Sequence, residues 1–183
     1  MVTDKITGLY HYDDYKEQSQ KLLKRLDFQC LVAVMNIVNF KYINEHYGFE
    51  TGDMVLKKVA SDFYQKSDRY AIGCRIHSDR FAFLGRAETV HHGMLKAELE
   101  KELKKFSRLV AEEMGIVDLR FNMGVYVLND HNESISECLD KAEVARKKNV
   151  EEYQEYVTIY DSIMQEEKKK KNDVLYAFQN AVK

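Results

Sequence analysis

The strongest constraint on the fold lies between residues 70 and 84, "YAIGCRIHSDRFAFL". Two apolar-alternating runs, Tyr70 to Ile76 and Phe81 to Leu84, flank a short polar tip, His77-Ser78-Asp79-Arg80. Alternation with period two on both sides of so short a tip predicts a β-hairpin. A hairpin needs further strands or a covering helix to be stable in water, so it points to a layered fold. Tips usually carry Gly or Asn, which reach positive φ at little cost. This one carries an imidazole, a hydroxyl, an acid and a base, which raises the question of whether the tip does chemistry.

The segments around the hairpin supply the other layers. "CLVAVMNIV", residues 30–38, is a short apolar run of the length of one buried strand. "VDLRFNMGVYVL" alternates like a strand, and "YVTIYD" reads as a last short one. Helical spacing marks the stretch with Tyr15, Leu22, Leu23 and Leu26, a long charged segment over about 91–114, and "SISECLDKAEVARKKN", where Ser134 and Glu137 have capping-box spacing. "FKYINEHYG" predicts a short helix closed by Gly48. Thr51 is expected to cap a following helix whose apolar positions are Met54, Val55, Val59, Phe63 and Tyr64. The predicted order is α-β-α-α-β-β-α-β-α-β-α. It fits an α+β sandwich on a ferredoxin-like core, a central mostly antiparallel sheet flanked by helices.

Bulk properties exclude several classes. The net charge of −2 over 183 residues gives no global basic field for nucleic acid. No apolar run approaches the ~20 residues that cross a bilayer, and "MVTDKITGLY" has no signal-peptide core, so no membrane contact is expected and a cytoplasmic location is. Cys30, Cys74 and Cys138 form no CxxC pair and are expected to be reduced, apolar fillers. The histidines show no HxxxH or HExxH spacing, and there is no GxSxG and no P-loop.

Three places could carry chemistry. The turn "NIVNFKYIN" runs from a strand into a helix, which leaves backbone N–H groups free to meet a phosphate, with Lys41 inside the turn. Asn44 and Asp53, nine residues apart, read alone as caps or solvated side chains. As a pair they could read a purine edge, because a carboxylate accepts from guanine N1–H and N2–H₂ and an amide can meet O6 or N3. Asp79, in the hairpin tip, is a candidate metal ligand or base, or simply a turn residue neutralised by Arg80.

Five segments, in order, resemble the GGDEF domain, the diguanylate cyclase fold of bacterial cyclic-di-GMP signalling: "DKITGLY", "NFKYINEHYGFETGDMVL", "RIHSDRFAFL", "LDKAEVARKKN" and "YVTIYD". The resemblance runs from about Asp4 to Asp161. It implies a nucleotidyl-cyclase-type sandwich over residues 1–161 and a connector helix over 162–183 leading to a further domain, such as an EAL phosphodiesterase. The family's reaction joins two GTP molecules held on two subunits of a homodimer, with Mg²⁺ ions at the phosphates. Carried over by position, Asn44 and Asp53 would hold guanine. Lys41 and Lys147 would approach the phosphates, with the Asn39–Phe40 backbone cradling them, and any bound nucleotide would bring Mg²⁺.

The catalytic positions depart from that pattern. The metal-binding acid that ends the first strand is Asn36. The two signature glycines are His77 and Ser78. Asp79 keeps the third signature position, as a vestige, and Arg80 replaces the acid of the fourth. An amide is a poor sole anchor for Mg²⁺, which favours carboxylate oxygens. Turning −1 into +1 beside a divalent ion works against the metal by several kcal/mol, since a unit pair interacts by roughly 4 kcal/mol at 4 Å and an effective dielectric near 20. The R-x-x-D product-inhibition motif is absent, with Asp68 and Ala71 in its place and Arg69 one position off. The resemblance therefore implies a catalytically inactive GGDEF domain, a regulatory nucleotide-binding or dimerisation module. The alternatives are an active cyclase with an unusual signature and a ligand-free protein–protein interaction domain.

Overall fold

The computed structural model describes residues 3–87, 91–152 and 156–181. Its elements follow the predicted order: α1 (Tyr12–Leu23), β1 (Cys30–Ile37), α2 (Phe40–Tyr47), α3 (Phe49–Gln65), β2 (Tyr70–His77), β3 (Arg80–Arg86), α4 (His92–Met114), β4 (Phe121–Val127), α5 (Ile135–Glu152), β5 (Val157–Ile159) and α6 (Ser162–Ala181). The strands form one five-stranded sheet in the order β2-β3-β1-β4-β5. All neighbours are antiparallel except β4 and β5, which run parallel and are joined through α5.

β1 is central and apolar on both faces because each face is roofed by helices. Leu31, Ala33, Met35 and Ile37 enter one core with side chains of α2, α3 and α4. Cys30, Val32 and Val34 enter a second core with Tyr15 and Leu23 of α1 and Cys138, Leu139 and Ala142 of α5. A strand buried on both sides reads as the continuous run 30–35 rather than as an alternation. The three cysteines are free and buried in this second core, and burial pushes the Cys30 thiol up to about 11 and those of Cys74 and Cys138 to about 12. As thiols they are inert fillers.

Two local expectations are corrected. Thr51 does not cap α3. Gly48, at φ 91, ends α2 and lets α3 start at once with Phe49, so Thr51 lies in the first turn and donates its hydroxyl to the Tyr47 carbonyl at 2.8 Å. The buried stripe of α3 is Val55, Leu56, Val59, Ala60 and Phe63, whereas Met54 and Tyr64 are exposed. At the start of α5 the Ile135 N–H is capped by a side chain from α1, donating to Gln20 Oε1 at 2.9 Å.

α5 lies directly on β4 at Gly124. A Cβ there would stand 2.1 Å from the Ala142 carbonyl oxygen and 2.2 Å from the Arg146 nitrogen, so only glycine allows this approach. The start of α6 returns to the domain through an ion pair, Lys148 to Glu167 at 3.1 Å. No helix among the described residues is long and apolar enough to cross a membrane.

Candidate functional site

One row of the sheet breaks its apolar pattern. In the ladder, Asn36 of β1 stands opposite Arg80 of β3 on one side and Asn122 of β4 on the other, and Arg80 in turn pairs with His77 of β2. Directly opposed residues in a sheet share a face. At the end of β1, then, an amide, a guanidinium and a second amide line up where the rows below carry Val, Ala and Gly: Val34 opposite Ala82 and Gly124.

α5 closes over this row and adds its own charges. Arg146, only 9% exposed, donates from Nη1 to the Asn36 amide oxygen at 2.9 Å and from Nε to Glu143 at 2.8 Å. Arg80 Nη2 reaches the same Glu143 carboxylate at 2.7 Å, and Lys147 lies 3.7 Å from it. Burial alone would raise the Glu143 carboxyl. The hydrogen bonds and charge of Arg146, with Arg80 and Lys147 behind them, overcome this and hold it below the usual carboxylate range. On the other side of Asn36, its amide nitrogen donates to the Ile37 carbonyl at 3.3 Å and lies 3.5 Å from Asp79 Oδ2, at the limit of a hydrogen bond.

The hairpin tip is rigidly tied. His77 and Arg80 are its last paired residues, so the loop is Ser78-Asp79 alone, with Ser78 at φ 49 in the left-handed region. Arg75 donates to the Ser78 carbonyl at 2.7 Å and reaches both Asp4 oxygens at 3.2 Å. Asp4 in turn accepts from the Thr7 hydroxyl and N–H, each at 2.8 Å. Burial favours protonation of Asp4, but the Thr7 hydrogen bonds and then Arg75 hold it below its ordinary value. His77 and Ser78 themselves are exposed.

The turn after β1 leaves backbone N–H groups open. Asn39 adopts φ 54 and ψ 34 ahead of α2, and among the described residues the N–H groups of Asn39, Phe40 and Lys41 make no hydrogen bond. Lys41 is paired along its own helix. Its side chain is 87% exposed and lies 3.6 Å from Glu45, its neighbour one turn along α2. Of the two candidate base-reading residues, Asn44 packs against the residue that precedes Asp53. α2 and α3 meet so closely that a Cβ on Gly52 would lie 1.9 Å from Asn44 Oδ1, which sets the Asn44 amide against the turn of α3 that carries Asp53. Both side chains are half-buried.

The structure thus gathers Asn36, Asp79, Arg80 and Lys147 in one cluster, sets Asn44 against Gly52 next to Asp53, and leaves Lys41 paired with Glu45. Glu143 and Arg146 were missed as site residues, because an acid and a base three positions apart on a helix read as a solvated pair. Their only signal is their position one turn and one residue ahead of Lys147. Arg69, one position off the product-inhibition motif, is buried between Glu98 and Glu102 of α4, the latter at 2.7 Å.

These residues do not fit a divalent cation. The single oxygen of Asn36 is taken by a guanidinium, Arg80 is paired with Glu143, and among the described residues no three His, Cys, Asp or Glu side chains converge on a point. Mg²⁺ prefers several carboxylate, phosphate and water oxygens in an octahedron. What this cleft offers in their place are cations.

The fold is a nucleotidyl-cyclase-type sandwich with one polar cluster at the end of β1 and another polar pair on α2 and α3. Comparison with known proteins carries this to a family. Residues 1–155 match the model of "Diguanylate cyclase, GGDEF domain", and the chain belongs to the GGDEF domain family of cyclic-di-GMP signalling. The GGDEF domain of PA1120 (TpbB or YfiN) from Pseudomonas aeruginosa superposes with a TM-score of 0.68 at 17% identity, over 90% of this chain and 98% of that one. The S helix-GGDEF-EAL portion of LapD from Vibrio cholerae, bound to c-di-GMP, superposes at 0.58 and 18% identity, over 86% of this chain and 36% of that one. In sequence, 149 residues are 26% identical to the protein y4lL of Sinorhizobium fredii; the match covers 78% of this chain but only 17% of that curated relative's length.

Proposed function

We propose that this GGDEF domain binds a guanine nucleotide without cyclising it and serves as a regulatory module for a neighbouring signalling domain. The observation that carries this reading is the row His77–Arg80–Asn36–Asn122 with Arg146 closed over it. Where the family's chemistry places acids around metal ions, this chain places two guanidinium groups around one carboxylate. Cyclisation requires a 3′-hydroxyl to attack an α-phosphate activated by metal ions. A cleft that holds no such ions can still bind the nucleotide it no longer transforms.

The base side supports retention of the ligand. Asn44 and Asp53 are both present, and Asn44 packs against Gly52, the residue next to Asp53. The structural likeness to LapD, in which a GGDEF domain is continuous with an EAL domain, supports a reading of α6 as a connector toward such a partner, with residues 1–161 as the domain and 162–183 as the link. Homodimerisation is part of the same proposal.

Two measurements test it. Purified protein incubated with GTP and Mg²⁺ is expected to form no cyclic-di-GMP by chromatography. Steady formation that disappears in Asp79→Ala would make this an active cyclase. Titration calorimetry with GTP is expected to give saturable binding that Asp53→Ala removes. Absence of binding by GTP, GDP and cyclic-di-GMP would leave a ligand-free interaction domain.

A further inference from the structure

We propose that Arg146 is the resident cation of this cleft: its guanidinium stands in for a divalent ion beside Asn36, and the phosphates of a nucleotide bind there without metal. The inference rests on the proposed nucleotide binding and adds to it how the anionic part of the ligand is held.

The argument begins with where the charge comes from. Arg146 is anchored at its backbone by the contact of α5 with Gly124 and at its guanidinium by Asn36 and Glu143, and it is almost entirely buried. Its charge is built into the fold. A metal seated at the end of β1 would have to take Asn36 Oδ1 away from this guanidinium and then sit beside it, a displacement that a neutral amide gives it no reason to make.

The charge balance points the same way. Arg80, Arg146 and Lys147 surround the Glu143 carboxylate at 2.7, 2.8 and 3.7 Å. With Asp79 included, three cations face two anions, and the surplus is positive. The Arg80 and Arg146 groups already hold one oxyanion between them, which is the arrangement by which paired guanidinium forks hold a phosphate. Donors also remain. Arg146 uses three of the five N–H groups that a guanidinium carries, and the Arg80 Nε–H is buried with no partner among the described residues. A buried donor left without an acceptor costs stability unless something supplies the acceptor. A phosphate oxygen at the open side of the row would do so, after a small movement of the Arg80 side chain.

The test is titration calorimetry of the intact chain with GTP and with guanosine, in excess EDTA and again with Mg²⁺. In EDTA, GTP is expected to bind within about twofold of its affinity in Mg²⁺, and guanosine at least about tenfold more weakly, which is the work of the phosphates. Arg146→Ala should weaken GTP by about tenfold or more while leaving guanosine unchanged, and Arg146→Lys should recover only part of the loss because it keeps the charge without the fork. If circular dichroism shows that Arg146→Ala does not fold, Arg80→Ala and the wild-type comparison of GTP with guanosine carry the test. Binding of GTP only when Mg²⁺ is present overturns this inference and leaves the proposed function standing. Equal affinity for guanosine and GTP in EDTA also overturns it, confining recognition to the base side. No binding in either buffer removes both.

Discussion

The two sides of the cleft differ in how their polar groups are held. On the base side, Asn44 and Asp53 are half-buried side chains on two helices packed through Gly52, with no ion pair of their own among the described contacts. On the phosphate side, Asn36, Arg80, Glu143 and Arg146 form a connected network that spans three elements, in which the two arginines hold the Glu143 carboxylate and Arg146 also holds the Asn36 oxygen. A loosely held pair can be kept for a ligand at little structural consequence. A network of partly buried charges is different: each member leaves a partner uncompensated when removed, so the network is part of the fold as well as of the site.

The largest expected effect attacks the phosphate side at its base. Gly124→Ala places a methyl group within 2.1 Å of the α5 backbone, which must move away from β4 and take Arg146 with it. A loss of about 3 kcal/mol in urea unfolding is expected, together with loss of the Arg146–Asn36 contact. Retention of wild-type stability would mean that α5 is not seated as described.

Acid sharpens the same comparison. The Glu143 carboxyl is lowered in the folded state, so its pairing stabilises the protein above its ordinary pKa near 4.5, and that contribution is lost as pH falls through the lower folded value. Glu143→Gln is expected to be less stable than wild type at neutral pH, by about 2 kcal/mol, with the difference shrinking once the carboxylate is protonated in both states. Parallel stability curves from neutral pH into acid would show that the charge of Glu143 contributes nothing.

The base side answers to a change that leaves stability alone. Gly52→Ala puts a methyl group where the Asn44 amide now lies, but that amide is the mobile end of a side chain and can swing away, and alanine is a better helix former than glycine. Stability is therefore expected to hold or rise by up to about 1 kcal/mol. Affinity for GTP should fall about tenfold, or about 1.4 kcal/mol. A loss of both together would assign Gly52 a purely structural role.

The smallest effect is expected at the tip. Ser78 holds φ 49, which glycine reaches freely, so Ser78→Gly should change stability by less than about 1 kcal/mol and leave the Arg75 bond to the residue 78 carbonyl in place.

The order of elements was legible because each strand and helix carries its own period, and β1 its doubly buried run. The hairpin was legible, since alternation stops at Ile76 and resumes at Phe81, but its tip is two residues rather than four, because His77 and Arg80 pair and extend both strands. The error at Thr51 arose where two helices abut through one glycine: a hydroxyl beside an apolar run looks like a cap, but φ 91 at Gly48 had already made the turn. The phosphate side was only half legible. Substitutions at 36 and 80 stand out against the family's pattern of acids, but what replaced the acids does not. It depends on the register that sets Asn36 between Arg80 and Asn122 and on the glycine that lets α5 bring Arg146 down from 110 positions away in sequence.

The central claim is that fixed guanidinium groups occupy the place of metal ions. It is tested most directly by a crystal structure grown with GTP and Mn²⁺, with diffraction collected at the manganese absorption edge. The account predicts nucleotide density beside Asn44 and Asp53, Arg146 still bonded to Asn36, and no anomalous peak in the cleft. Ordered manganese between Asn36 and Asp79, with Arg146 swung out toward solvent, would contradict it.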